Sequence, residues 1–148
     1  MVMKILEQKK IKYEALYYDP VKLDALSVAE NINVNPNQVF KTLVTKGAKS
    51  YYCFMVPSNK ELDLKKTAKI LNEKKIEMIL QKELYPLTGY VHGGCSPIGM
   101  KKRIPTFINN TALEFDKIYY SAGKIGAQVA TSPNDLINLM NIKVVDII

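Results

Sequence analysis

The 148-residue chain is 47% hydrophobic, has two cysteines and one histidine, and carries a formal net charge of +7. That length suits a single domain over 1–148, and the apolar share can fill a core without disulfides or a metal, which excludes disordered and disulfide-scaffold classes. No apolar run approaches the roughly 20 residues of a membrane span. The charged start "MVMKILEQKKIKY" lacks the apolar centre of a signal peptide, so a cytoplasmic location is expected.

Taken in chain order, "MKILEQKKI" (3–11) predicts a short amphipathic helix and "KYEALYY" (12–18) a strand closed by Asp19-Pro20. "KLDALSVAENI" (22–32) sets Ala25, Val28, Ala29 and Ile32 on one helix face, and "NVNPNQ" breaks it. "VFKTLVTK" (39–46) and "YYCFMVP" (51–57) are β-rich runs joined by "GAKS", a hairpin pattern. "ELDLKKTAKILN" (61–72) predicts a helix capped by Asp63, "KKIEMIL" (74–80) a short strand, and "QKELYPLTG" (81–89) a helical turn ended by Gly89. After a glycine-rich loop come strands within "RIPTFIN" (103–109), "DKIYYSAG" (116–123) and "AQVATS" (127–132). Ser132 and Pro133 then begin a helix, and "IKVVDII" (142–148) closes the chain as a strand. The order αβαββαβαβββαβ lacks strict βαβ alternation. It predicts an α+β fold on a curved, mixed or largely antiparallel sheet.

The charge is uneven. Residues 48–103 hold 11 Lys or Arg against 5 acids, while 1–47 net +2 and 104–148 net −1. Such a basic segment suits a polyanion such as RNA, or is simply a solvated lysine-rich surface. Strand alternation puts Lys41 on one face with Leu43 and Thr45, and Phe40, Thr42 and Val44 on the other. A lysine among apolar neighbours calls for an anion or a cleft, unless its strand is an edge in solvent.

The loop "HGGCSPIGMKKR" (92–103) holds three glycines, the only histidine and three consecutive basic residues. Gly93, Gly94 and Gly99 permit close backbone approach, and successive N–H groups can cradle an oxyanion. Lys101, Lys102 and Arg103 can hold phosphates at the same edge. The spacing is not that of a P-loop, and a long structural turn fits it as well. "YSAGKIGAQVATSPND" reads as a hairpin turn or a cleft rim, with Asp135 at a helix start. A metal site has too few ligands, no cofactor motif is present, and a Cys95–His92 dyad lacks a third orienting group. Cys53 sits in an apolar run, as a core residue does.

The series "VFKTLV", "ELDLKK", "KKIEM", "LTGYVHGGCSPIGMKKR", "PTFIN", "TALEFDKIYYSAGKIG" and "SPNDL" resembles the YbaK/EbsC family of aminoacyl-tRNA deacylases, relatives of the editing domain of bacterial prolyl-tRNA synthetases. The likeness spans nearly the whole chain and is weakest over 12–38. It implies a partly barrel-like mixed sheet flanked by helices and hydrolysis of the ester on a mischarged tRNA. Within the family the motifs are most similar to the YbaK branch, which acts on Cys-tRNA(Pro) and Cys-tRNA(Cys) with the substrate thiol as nucleophile. An Ala-tRNA(Pro) or other small-residue deacylase, and a non-catalytic tRNA-binding protein on the same fold, stay open. The resemblance assigns catalysis to Lys41, Gly93, Gly94, Ser96 and Gly99. It assigns substrate contacts to Tyr18, Phe40, Thr42, Pro97, Lys101, Lys102, Arg103 and Asp135. Ala122 departs from the Ser-Gly-Gly of many relatives, and Cys95 stands where some carry an aliphatic residue. The implied partner is the aminoacyl-tRNA 3′ end, with a transient complex with prolyl-tRNA synthetase left open and no cofactor, metal or membrane.

Overall fold

The computed structural model describes residues 1–19 and 25–148, with side chains for 1–19 and 28–148. Pro20 and the first part of the helix expected over 22–32 lie outside the described residues. The elements are α1 (Val2–Gln8), β1 (Glu14–Tyr17), α2 (Ala25–Asn31), β2 (Phe40–Lys46), β3 (Tyr51–Pro57), α3 (Leu64–Ile70), β4 (Glu77–Met78), α4 (Gln81–Thr88), β5 (Thr106–Asn109), β6 (Ile118–Ser121), β7 (Ala127–Thr131), α5 (Pro133–Met140) and β8 (Lys143–Val145). The predicted order therefore holds. Two short 3-10 turns, Pro36–Gln38 and Asn110–Glu114, were not anticipated.

The sheet is mixed. β2 and β3 form the expected hairpin, paired from Phe40↔Pro57 to Lys46↔Tyr51. β3 then pairs in parallel with β5, and β5 with β8. Two hydrogen-bonded neighbours and two covered faces explain why β3 is a continuous apolar run rather than an alternating one. A second, three-stranded sheet has the order β1-β7-β6. One parallel bridge, Val39↔Tyr119, joins it to the start of β2. At the far end of β2, Thr45 and Lys46 pair instead with β4. The two sheets thus meet at one end of β2 and part along it, giving a curved, incompletely closed structure and no complete barrel.

The largest core cluster includes Leu6 of α1, Phe40, Met55, Ile98, Ile108, Tyr120, Val129 and Leu136 of α5. A second cluster packs Phe54, Val56 and Phe107 with Ala68 of α3, and the rings of Phe54 and Phe107 stack at 5.4 Å. Met55 lies in one cluster and Phe54 and Val56 in the other, as period-2 alternation requires. Helix starts follow their local signals. Asp63 accepts from Lys66 N at 2.9 Å, and Ser132 accepts from Asp135 N at 3.2 Å with Pro133 in the first turn. α4 is a full eight-residue helix rather than a turn, and Pro86 sits inside it. Glu83 supports its start by accepting from Leu80 N at 2.9 Å, and Gly89 at φ 81° ends it.

Candidate active site

A cleft of about 460 Å³ opens where the two sheets part. Lys41, Thr42 and Leu43 of β2 form one wall, Ser121 and Gln128 of β6 and β7 another, and His92, Gly93 and Cys95 a third. Leu84 of α4 and Val28 of α2 add apolar surface.

Lys41 lies on the face of β2 expected for it, beside Leu43 and across from Val56. Its side chain is 22% exposed, and its Nζ is 3.7 Å from Glu61 Oε1. The Glu61 side chain is 95% exposed, so water competes for the pair and the contact is weak. An incoming phosphate can displace that carboxylate at small cost. Glu61 lies twenty residues away behind a turn, and no sequence pattern links it to Lys41.

The glycine-rich loop does two jobs. Its first part lines the cleft, and its middle is anchored in the core. Ser96 is fully buried and its Oγ accepts from Ile98 N at 3.2 Å, which makes it a loop brace. Pro97 is buried, and the Ile98 side chain enters the main core. The Tyr90 hydroxyl donates to the Ile98 carbonyl, and burial, with Cys95 nearby, raises the Tyr90 pKa. Gly99 has φ 76°, a backbone region unfavourable to other residues. A methyl group on Gly94 would lie 3.1 Å from Ile125 N, so the loop sits directly on the turn between β6 and β7.

The N–H of Gly94 is used within the loop, donating to Val91 O at 2.9 Å. Among the described residues, the N–H groups of Gly93 and Cys95 have no protein acceptor, and both residues line the cleft. Of the three, Gly93 and Cys95 therefore present backbone N–H groups to the cleft, and Gly94 does not. The Cys95 thiol is not a nucleophile at neutral pH, because burial pushes its pKa up to about 12. No hydrogen bond joins it to His92 among the described residues. Two serine hydroxyls of the cleft are held by backbone, Ser58 donating to Pro36 O at 2.7 Å and Ser121 accepting from Gly123 N at 3.1 Å.

Among the described residues, two buried polar atoms, Thr42 Oγ1 and Gln128 Oε1, have no hydrogen-bond partner, and both residues line the cleft. Gln128 is only 6% exposed. Sequence reasoning named Thr42 but not Gln128, whose signal was a lone amide in the otherwise apolar run "AQVA". Phe40 and Thr42 both line the cleft. Tyr18, half-buried just past β1, donates its N–H to Gly126 O at 3.0 Å but is not among the described cleft-lining residues. Asp135 is exposed in the first turn of α5, also away from that lining. Lys101, Lys102 and Arg103 are exposed beyond the loop, and none of them lines the cleft. Among the described residues no group of three His, Cys, Asp or Glu side chains could hold a metal ion, and no helix is long and apolar enough to cross a membrane.

The sequence pattern of the aminoacyl-tRNA editing domain matches residues 19–139, most of the chain and the whole of this cleft. The chain belongs to the aminoacyl-tRNA editing domain family. It is 43% identical over 142 residues to a protein of Enterococcus faecalis named as a candidate Cys-tRNA(Pro)/Cys-tRNA(Cys) deacylase, EbsC; the match covers 94% of this chain and 87% of that one. It is 27% identical over 97 residues to the proline–tRNA ligase of Fervidobacterium nodosum, covering 66% of this chain but 17% of that enzyme. The crystal structure of a candidate trans-editing enzyme for prolyl tRNA synthetase superposes with a TM-score of 0.88 at 24% identity, over 99% of this chain and 93% of that one. At that identity the superposition speaks to the fold, and it agrees with the mixed, curved sheet of this editing-domain protein.

Proposed function

We propose that this editing-domain protein is a free-standing aminoacyl-tRNA deacylase that clears Cys-tRNA(Pro) and, as a second substrate, Cys-tRNA(Cys). The carrying observation is the pairing of free cleft N–H groups at Gly93 and Cys95 with a lysine, Lys41, held by only an exposed carboxylate. The N–H groups stabilise the negative charge that develops on the ester carbonyl oxygen. The Lys41 ammonium binds a phosphate of the terminal nucleotide and sets the ester against them.

Among the described residues the cleft offers no ionised thiol and no hydroxyl paired with a base. The substrate cysteine supplies the nucleophile. Its sulfur bonds to its own carbonyl carbon, the ester C–O bond breaks, and the tRNA 3′-oxygen leaves with the proton. Water then opens the cyclic thioester. Thr42 Oγ1 and Gln128 Oε1, buried without partners, are suited to accept from donors on the aminoacyl group. The reading also carries action in the cytoplasm as a single domain, and a transient complex with prolyl-tRNA synthetase at the moment of release.

The test is hydrolysis of Cys-tRNA(Pro) and Ala-tRNA(Pro), side by side, by wild type and Lys41→Ala. Wild type clears the cysteinyl ester, and Lys41→Ala lowers kcat/KM by about 100-fold or more, the size of a lost transition-state contact. S-methylation of the substrate cysteine abolishes turnover. Clearance of the alanyl ester alone replaces the substrate thiol with water. Binding of tRNA with no hydrolysis of either ester leaves a non-catalytic tRNA-binding protein.

A further inference from the structure

The basic residues that end the glycine-rich loop do not reach the cleft, yet they are not scattered on the surface. Lys102 and Arg103 line a second depression of about 370 Å³, together with Lys46, Lys49 and Tyr51. We infer that this groove is a separate phosphate-binding site that grips the tRNA backbone where its unpaired 3′ tail meets the acceptor stem.

The charge balance of the groove supports an anion. Among the described residues, four basic side chains line it and no acidic one does. Of the three nearby carboxylates, Glu73 is buried behind the floor, accepting from Tyr52 Oη at 2.6 Å and from Ala48 N and Lys49 N, each at 3.2 Å, and Glu77, across from Lys46 on β4, lies 4.0 Å from Lys75 and does not line the groove. Glu83 lies 3.5 Å from Lys46 alone. Lys102 Nζ sits 5.7 Å from the centroid of the Tyr51 ring, and Arg103 has no ion pair or hydrogen bond among the described residues. The floor is a tight turn closed by Gly47 N donating to Ser50 O at 2.9 Å, so the lysines at its rim are carried on fixed backbone.

The groove's position matches one extended ligand across both sites. β2 runs from Lys41 at the cleft to Lys46 at the groove, about 17 Å at the usual strand rise. One apolar cluster lies between them: Cys95 and Leu84 also line the cleft, while Tyr51 and Ile104 also line the groove. With about 3.4 Å of rise per stacked nucleotide, that span places the groove about five nucleotides from the ester. The loop 92–103 contributes Gly93 to one site and Arg103 to the other, so one segment couples them.

This inference rests on the tRNA reading above, and its test is independent of hydrolysis. Binding of uncharged tRNA is measured against salt for wild type, for Lys102→Ala/Arg103→Ala, and for Lys65→Ala/Lys69→Ala. The last pair removes the same charge from exposed positions on α3. The groove variant makes the slope of log affinity against log salt shallower by about 1.5, because two phosphate contacts are lost. The α3 variant leaves the slope at the wild-type value. A short 3′-tail oligonucleotide that ends before the groove shows no difference between wild type and groove variant. Equal slopes for the two variants on whole tRNA, or an equal loss on the short oligonucleotide, overturn the inference. Failure of hydrolysis with the slope change intact removes the deacylase reading and leaves the groove standing.

Discussion

At the residue scale, Lys41 and Cys95 show what side-chain type alone can and cannot say. Lys41 was legible because strand alternation places it among Leu43 and Val56, where a charge needs a partner or a cavity. Cys95 stands three residues from His92 with no third group to orient the pair, and its burial holds the thiol protonated near neutral pH. What it offers is a backbone N–H in the cleft, which any residue except proline would supply. Cys95→Ser is therefore expected to keep deacylation within about threefold of wild type, and wild-type Cys95 is expected to resist alkylation at pH 7–8. Loss of all activity in the serine variant, measured alongside its melting temperature, would show that the thiol takes part. Glu61 and Gln128 could not be read in the same way. Glu61 lies twenty positions from Lys41, and Gln128 eighty-six from Thr42, and only the fold brings all four to one cleft.

At the element scale, the helices and the hairpin were written locally and the sheet order was not. Ser132-Pro133, Asp63 and the loop "GAKS" carry their own stop and start signals. The parallel pairing of β3 with β5, and of β5 with β8, has no local signal because the partners are joined only through long crossovers. The place where the sheets part, and so the cleft, follows from that pairing. The glycine-rich loop lies between these cases: its glycines were conspicuous, but their division of labour needed contacts. Gly94 serves packing, since a methyl group would press on Ile125 N and on Lys124, which are backbone atoms and cannot swing aside. Gly94→Ala is expected to destabilise the fold by about 1–3 kcal/mol, the usual cost of overpacking. It is also expected to reduce kcat/KM more than stability alone explains, because Gly93 and Cys95 move with it. Denaturant titration with kinetics at a temperature where the variant is fully folded separates the two. Unchanged kinetics there would mean that the cleft tolerates a displaced loop.

At the scale of the whole molecule, one buried hydrogen bond ties the turn under the basic groove to the segment after α3. Tyr52 on β3 donates to Glu73 at 2.6 Å, and the same carboxylate accepts the turn N–H groups of Ala48 and Lys49. The bond shifts both partners. The hydrogen bond from Tyr52 holds the Glu73 carboxyl below its ordinary pKa, against the opposing effect of burial. The hydrogen bond to Glu73, with burial, pushes Tyr52 up to about 12. For Glu73 the folded pKa is depressed, so its contribution is complete above the unfolded value of about 4.3 and is lost as pH falls through the folded one. For Tyr52 the folded pKa is raised, so its contribution is complete below the unfolded value of about 10 and is lost as pH rises toward 12. Tyr52→Phe removes the hydroxyl and keeps the ring beside Phe54 and Phe107. The variant is expected to be less stable than wild type by a constant amount between about pH 5 and 10. The gap then narrows at both ends, on the acid side as Glu73 protonates and on the alkaline side as Tyr52 ionises. Urea midpoints from pH 3 to 11 would show this. A gap that stays constant over the whole range would mean that the bond contributes nothing dependent on charge. Because the same turn carries the groove lysines, Tyr52→Phe is also expected to weaken tRNA binding while leaving the cleft intact.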